Sequence, residues 1–345
     1  MGLFGVDELG LDLGTSTLNI VMKKKGIVLS EPAYAAYERL TREPLFFGEE
    51  AMRMYGKTPK TIIVERPFRE GWVHSYDLVA SMLRFFIRRV QGKRGGRPRV
   101  LLAMPGGLTP TDRETLTDVI MDAGVRDVVL IDESVASAIG AGMDIDQEYG
   151  RMNVDIGGAR TNVSVYSRGH QILWDILDNA GDRFDDAIVD YLRRRHNLLI
   201  GERTAEQLKM DIGSALPKGA GLTAEAYGRS LVSGLPRSVT VTSEELTEAL
   251  DESLRELLIA LRRTLERTPP ELASDIFEAG ITLSGGAARL DGLDKLITQQ
   301  LGIRTTLADE PELCVAHGLE NLLNDPERYE KVDLYTERRW NTRKE

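Results

Sequence analysis

The chain has 345 residues, enough for two domains, with 42% hydrophobic and 28% charged residues, a normal balance for a globular protein. A formal net charge of −10 argues against wholesale binding to nucleic acid, and the single cysteine, Cys314, excludes an internal disulfide and a multi-cysteine zinc site. His74, His170, His196 and His317 lack metal-ligand spacing, and no apolar run reaches the ~18 residues that a membrane span needs, so the expected location is a reducing cytoplasm.

In chain order, the start Met-Gly-Leu-Phe-Gly-Val has no cationic segment and is not a secretory signal, and Val6 stands where a myristoylation motif wants Ser or Thr. Residues 9–22, LGLDLGTSTLNIVM, read as an apolar strand ending in Asp12, a small-residue turn and a second strand. Residues 99–105 predict a strand, 111–124 a helix stopped by Gly124, 127–132 a strand and 133–142 a helix of small residues. The opening pattern then recurs at 152–165, MNVDIGGARTNVSV, with Asp155 at the end of its first strand. Beyond it, 181–196 and 202–214 predict helices, and 222–242 short strands. A long amphipathic helix over 243–268 is opened by Ser243, with Glu245 and Glu248 behind it, and closed by Pro269-Pro270. Residues 281–290, ITLSGGAARL, run from a strand into a glycine turn. This alternation, without any linker tract, predicts two packed halves of layered α/β architecture.

The repeat carries the chemistry. Glycines at a hairpin tip bring backbone N–H groups close to whatever occupies the turn. Two such hairpins facing each other across a cleft would grip a phosphate chain from both sides, with Asp12 and Asp155 toward the accompanying cation. A lone D-x-G is an ordinary turn that recurs by chance. Two copies in matching strand contexts point to a nucleotide.

Asp12-Leu-Gly-Thr15, Asp155-Ile-Gly-Gly158 and Leu283-Ser-Gly-Gly286 resemble the phosphate-one, phosphate-two and adenosine motifs of the actin and heat-shock-chaperone ATPase superfamily. Within it the chain resembles the bacterial rod-shape-determining MreB family along nearly its whole length. The stretches that carry this include KGIVLSEP (25–32), IDESVASAIGAG (131–142), AGDRFDDAI (180–188), NLLIGERTAEQLK (197–209) and LVSGLPRSV (231–239).

The resemblance implies an actin-like α/β fold of two related ribonuclease-H-like halves, each with a smaller subdomain, holding ATP or ADP with Mg2+ in the cleft between them. It places a first half at 1–145 (small subdomain 32–65) and a second at 146–324 (small subdomain 181–243), with 325–345 returning to the first. Asp12, Gly14, Thr15, Ser16 and Thr17 would line the first phosphate turn, and Asp155, Gly157, Gly158, Ala159, Arg160 and Thr161 the second. Asp12 and Asp155 would hold Mg2+ through water. Glu206 and Lys209 would reach the ribose and base. Gly285, Gly286 and Ala287 would lie against the adenosine, where a side chain would collide with it. Glu133 would position the attacking water. Taken alone, Glu133 is also a favourable helix-start acid, and Glu206 with Lys209 a solvated helix pair.

The sequence departs from the family pattern around the nucleotide. The second turn, usually Asp-Ile-Gly-Gly-Gly-Thr-Thr-Glu, reads DIGGARTN, with Ala159, Arg160 and Asn162 as the changes. Ala287 replaces a third Gly, Ser16-Thr17-Leu18 replace Ala-Asn-Thr, and Ser134 replaces a Pro. Arg160 brings a fixed charge near the γ-phosphate, where it could act as an arginine finger, fill the site and block hydrolysis, or point into solvent. Retained aspartates and glycines predict binding; the departures predict slow or impaired ATPase activity.

The resemblance implies a membrane-associated filament protein that helps organise cell shape and wall synthesis, with itself, or another protomer of the family, and morphogenetic membrane proteins as partners. The alternatives are a paralogue that acts only within another filament and a small-molecule kinase, which would need substrate-recognition insertions that these compact halves lack. From Leu78 to Thr111 there is no acid, while Arg84, Arg88, Arg89, Lys93, Arg94, Arg97 and Arg99 are all basic. With Leu3 and Phe4 as apolar anchors, Arg88, Arg89, Lys93 and Arg94 predict peripheral, salt-sensitive binding to the inner face of the cell membrane, strengthened by repetition along a filament.

Overall fold

The computed structural model describes residues 7–69, 71–92, 95–218, 221–325, 327–328 and 334–335; the anchors Leu3 and Phe4 and the basic residues Lys93 and Arg94 lie outside them. The chain divides into two compact units, one of residues 1–144 with 313–345 and one of residues 145–312.

The first unit opens with an antiparallel meander of β1 (Glu8–Leu13), β2 (Thr17–Met22) and β3 (Gly26–Pro32). A small sheet of order β5-β4-β6 follows, built from β4 (Ala35–Glu38), β5 (Pro44–Phe47) and β6 (Ile62–Glu65), with α1 (Glu49–Met54) before its last strand. The short pair β7 (Phe68–Arg69) and β8 (Trp72–Val73) leads into α2 (Tyr76–Gln91). Then come β9 (Arg99–Met104), α3 (Pro110–Asp122), β10 (Asp127–Asp132) and α4 (Glu133–Gly140). β9 runs parallel to β1, and β10 parallel to β9. Val100 to Met104 are all buried, as expected of a central strand covered on both faces.

The second unit repeats this plan. Its meander is β11 (Arg151–Ile156), β12 (Thr161–Ser167) and β13 (His170–Leu177). A smaller layer follows, with α5 (Gly181–His196), β14 (Leu198–Leu199), α6 (Glu202–Ile212), β15 (Thr223–Ser230) and β16 (Pro236–Thr242). After α7 (Ser243–Arg267) and α8 (Pro270–Ala279), β17 (Ile281–Ser284) lies parallel to β11. A 3-10 turn at Gly286–Arg289 and α9 (Leu293–Leu301) lead to β18 (Thr305–Leu307), parallel to β17. Five strands of the first main sheet, β3-β2-β1-β9-β10, and the whole of the second, β13-β12-β11-β17-β18, therefore follow the same order, the first sheet carrying one further edge strand beside β10.

Two expectations are corrected. α7 is capped by Thr242 rather than Ser243: the Thr242 hydroxyl accepts from the Glu245 amide, and the Glu245 carboxylate accepts from the Thr242 amide. Residues 313–324, expected in the second half, belong to the first unit as α10 (Cys314–Asn324), followed by β19 (Leu334–Tyr335) beside β10. Glycine is the reason. A Cβ on Gly140 would lie 1.7 Å from the Cys314 carbonyl oxygen, and one on Gly318 would lie 1.8 Å from that of Ala136. α4 and α10 thus cross backbone to backbone, and this contact fixes the helix that Glu133 begins.

Candidate functional site

The two hairpin turns are built alike within their own units. In the first, the Gly14 amide donates to the Thr17 carbonyl at 3.0 Å; in the second, the Gly157 amide donates to the Arg160 carbonyl at 2.9 Å. Asp12 lies opposite Asn19 on β2, and Asp155 opposite Asn162 on β12. On their other sides stand small residues of the parallel neighbours, Ala103 beside Asp12 and Ser284 beside Asp155. Both carboxylates are buried, at 6% and 4% exposure. Asn19 donates to Asp12 at 2.8 Å, and the Ser284 hydroxyl lies 3.3 Å from Asp155 Oδ1. Among the described residues, no hydrogen bond within the protein uses the amides of Thr15, Ser16, Gly158 or Ala159. Each turn thus offers free donors behind one buried acid, the local chemistry of a phosphate cradle.

The second turn is held by further elements. The Gly181 amide donates to the Gly157 carbonyl at 3.1 Å, and the Asp182 amide to the Gly158 carbonyl at 2.7 Å. A Cβ on Gly181 would sit 3.4 Å from that of Ala287, so the start of α5 touches the 285–287 segment as well. From α6, the Lys209 ammonium donates to the Gly181 carbonyl at 3.0 Å and pairs with Asp185 at 2.8 Å. Burial pushes the Asp185 carboxyl up to about 7, Lys209 pulling it down and Glu206 and Asp182 adding to the rise. Gly181 and Asp185 are the residues that sequence reasoning passed over. The AGDRFDDAI stretch marked the family, but nothing in its composition says that its second residue touches three predicted site segments.

The individual expectations fare differently. Gly285 has φ +84°, and a Cβ there would meet the Ile156 carbonyl oxygen at 2.3 Å and Asp155 Oδ1 at 2.6 Å. β11 therefore requires a glycine there by itself. Gly286 is exposed, and a Cβ there would meet only Glu312 Cβ, at 3.7 Å. Thr161 is fully buried, and its hydroxyl donates to the Asn179 carbonyl at 2.6 Å, which anchors the start of β12. Arg160 does not point into solvent: its side chain is 16% exposed, with Nε 3.5 Å from Asp178. Glu206 is exposed on α6. Glu133 is the first residue of α4, half-buried, behind Asp132, which caps the helix by accepting from the Ser134 amide at 2.9 Å. Burial raises the Asp132 pKa against those Ser134 bonds.

The residues fit the implied groups. Free turn amides suit phosphates, and an open Gly286 leaves a cradle that a side chain would fill. The buried carboxylate of each turn, taken by itself, is of the kind that accepts hydrogen bonds from water on a magnesium ion. Among the described residues, no cluster of three or more metal-ligating side chains occurs.

Comparison with known proteins agrees with this geometry. The family model described as MreB/Mbl protein matches residues 6–331. The cell shape-determining protein Mbl of Bacillus cereus is 40% identical over 328 residues, covering 95% of this chain and 98% of that protein. The crystal structure of MreB5 of Spiroplasma citri bound to ADP superposes with a TM-score of 0.89 at 32% identity, covering 94% of this chain and 97% of the other. The MamK double helical filament shares the fold, with a TM-score of 0.77 at 17% identity, 92% of this chain and 98% of that one. With its duplicated sheet order, its paired turns and this match over nearly all its length, the chain belongs to the MreB/Mbl family of actin-like cell-shape proteins.

Proposed function

We propose that this protein binds ATP or ADP with Mg2+ through its two hairpin turns and assembles into cytoskeletal filaments at the inner face of the cell membrane. The observation that carries the nucleotide reading is the pair of turns, each with a buried aspartate and free amides. The relative MreB5 of Spiroplasma citri is bound to ADP in one crystal structure and to AMPPNP in another, which supports it. Asp12 and Asp155 would accept hydrogen bonds from water on the metal, the turn amides would bind phosphate oxygens, and Glu133 would orient the attacking water. Asp12→Ala or Asp155→Ala should weaken Mg-ATP by about tenfold or more while sparing metal-free nucleotide, as calorimetry would read. Affinity equal to wild type for both would remove the phosphate clamp.

Family membership supports assembly with further copies or with another protomer of the family. Light scattering with ATP and Mg2+ tests it, since assembly without added sugar separates a filament from a kinase. Among the described residues, no helix is long and apolar enough to cross a membrane, so attachment would be peripheral. α2 presents exposed Phe85 beside exposed Arg88, in a hollow also lined by Ser81, Arg84 and Arg89. Arg89 pairs with Glu31 at 2.7 Å and Arg84 donates to the Asp122 carbonyl, so Arg88 and Phe85 carry more of the contact than the sequence suggested. Pelleting with anionic liposomes should fall with salt and be lost when Arg88 and Phe85 are replaced by Glu and Ser. Equal pelleting with neutral lipid would overturn this face.

A further inference from the structure

The nucleotide reading assigns Lys209 to the ribose and base, yet the structure gives that side chain two buried partners within the protein. Lys209 Nζ lies 2.8 Å from Asp185 Oδ1 and 3.0 Å from the Gly181 carbonyl oxygen; the Lys209 and Asp185 side chains are 13% and 11% exposed. Gly181 in turn holds the Gly157 carbonyl, and Asp182 that of Gly158. A continuous path of short polar contacts therefore runs from Asp185 through Lys209 and the first turn of α5 to the second phosphate turn. We propose that Asp185 is a positioning residue for the nucleotide site: by holding Lys209 on the Gly181 carbonyl, it locks the start of α5 onto residues 157–158 and sets the shape of the turn that receives phosphate. This inference rests on the nucleotide reading above.

The groups around Asp185 make the lock depend on pH. From α6, Lys209 favours its ionised form and exposed Glu206 opposes it; from α5 itself, Asp182 opposes it, and burial opposes it most. β14 offers only Leu198 and Leu199, and residues 157, 158 and 287 carry no ionisable side chain. The α7 acids Glu245 and Glu248 act on Tyr191, further along α5. The Asp185 ionisation is raised from its ordinary 3.8 to about 7. Its contribution to stability is thus fully present below about 4 and lost as pH rises through about 7. The fold would hold this carboxyl more easily neutral. An ion pair maintained above neutrality at the expense of stability is what a positioning role requires.

The test compares wild type, Asp185→Asn and Asp185→Glu by calorimetry with Mg-ADP at about pH 6 and about pH 8, either side of that ionisation. Ionisation of the ligand itself is common to all three and cancels in the ratios. Asp185→Asn should bind about tenfold more weakly than wild type at the higher pH and nearly equally at the lower, with Asp185→Glu recovering part of the affinity and the pH dependence. In the nucleotide-free protein, the Gly181 and Asp182 amides should exchange with solvent about tenfold faster in Asp185→Asn at the higher pH. Equal affinity and equal exchange in wild type and Asp185→Asn overturn the proposal. Should wild type bind no nucleotide, the reading of the site falls while the exchange arm still decides what Asp185 does. Should Asp185→Asn fail to fold, wild type alone decides: its protection at 181–182, corrected for intrinsic chemistry, must fall on acidification, and constancy overturns the proposal.

Discussion

The two phosphate turns share a backbone and differ in what supports it. The first is held from within its own opening meander: Gly14 bonds to Thr17, Asn19 to Asp12, the Ala33 amide just after β3 donates to the Ser16 carbonyl at 2.9 Å, and the neighbouring strand presents only Ala103. The second is tied from outside, by the α5 amides, by Lys209 behind them, and by Gly285 pressed against Ile156. Asn162, in the register position of Asn19, makes no side-chain hydrogen bond among the described residues. One half of the repeat therefore encodes its turn locally, and the other half distributes the task over elements far apart in sequence. A change to the second turn should spread further than the same change to the first.

The largest expected effect tests that asymmetry at the glycines. Gly285→Ala combines φ +84° with a Cβ 2.3 Å from a backbone oxygen that cannot move without shifting β11. It should cost about 3 kcal/mol or more, read as a lowered midpoint in denaturant. Gly14→Ala meets only the Thr17 carbonyl oxygen, at 2.7 Å, inside a turn free to relax, and should cost about half as much. A reversed order would mean that the first turn is the rigid one. Gly286→Ala, with no protein atom closer than 3.7 Å, should leave stability unchanged and weaken only nucleotide binding.

The asparagines sharpen the comparison at a smaller scale. Asn19→Ala removes the donor to a buried carboxylate and should cost about 2 kcal/mol. Asn162→Ala, at the matching position, should cost about 1 kcal/mol or less. Equal costs would show that Asp155 depends on Asn162 in solution as Asp12 depends on Asn19.

How much of this was legible in the sequence follows the same division. Local patterns read well: 127–132 and 181–196 are the observed strand and helix to the residue, because an apolar run bounded by polar residues and an amphipathic period are short-range signals. The Asp-x-Gly repeat likewise announced both turns. What the sequence hid is long-range. That β11 demands a glycine at 285 was invisible because the collision is with a strand more than 120 residues away in the chain. The partner of the Thr161 hydroxyl was likewise hidden, because only the fold brings the Asn179 carbonyl to it. The placement of α10 depended on glycines at 140 and 318 meeting, and spacing within either helix gives no sign of it. Even the extent of the duplication, with Ala103 and Ser284 as counterparts, appears only once strand register is known.

Arg160 carries the smallest and most discriminating effect. A short hydroxyl would be usual at its position, and the structure settles one of its three roles by burying the side chain against Asp178. That pair is partly exposed, with Asp178 84% accessible, so on stability alone Arg160→Thr should register within about 1 kcal/mol. The informative readout is phosphate release. Obstruction here is steric: where a short hydroxyl would be usual, the bulky side chain held beside Asp178 at the end of the second turn would take up room near the γ-phosphate. Arg160→Thr should therefore raise the release rate a few-fold, about 1 kcal/mol in the barrier, while Glu133→Ala abolishes whatever rate exists. Asp178→Ala separates position from charge: an arginine released from its partner should shift the rate in the opposite sense to its removal. If Arg160→Thr instead lowers the rate, the arginine stabilises charge in the transition state, and the second turn gained a catalytic group where its family pattern has a hydroxyl. If neither substitution moves the rate, Arg160 serves only to pin β12 to the segment before α5, one more support that the first turn does without.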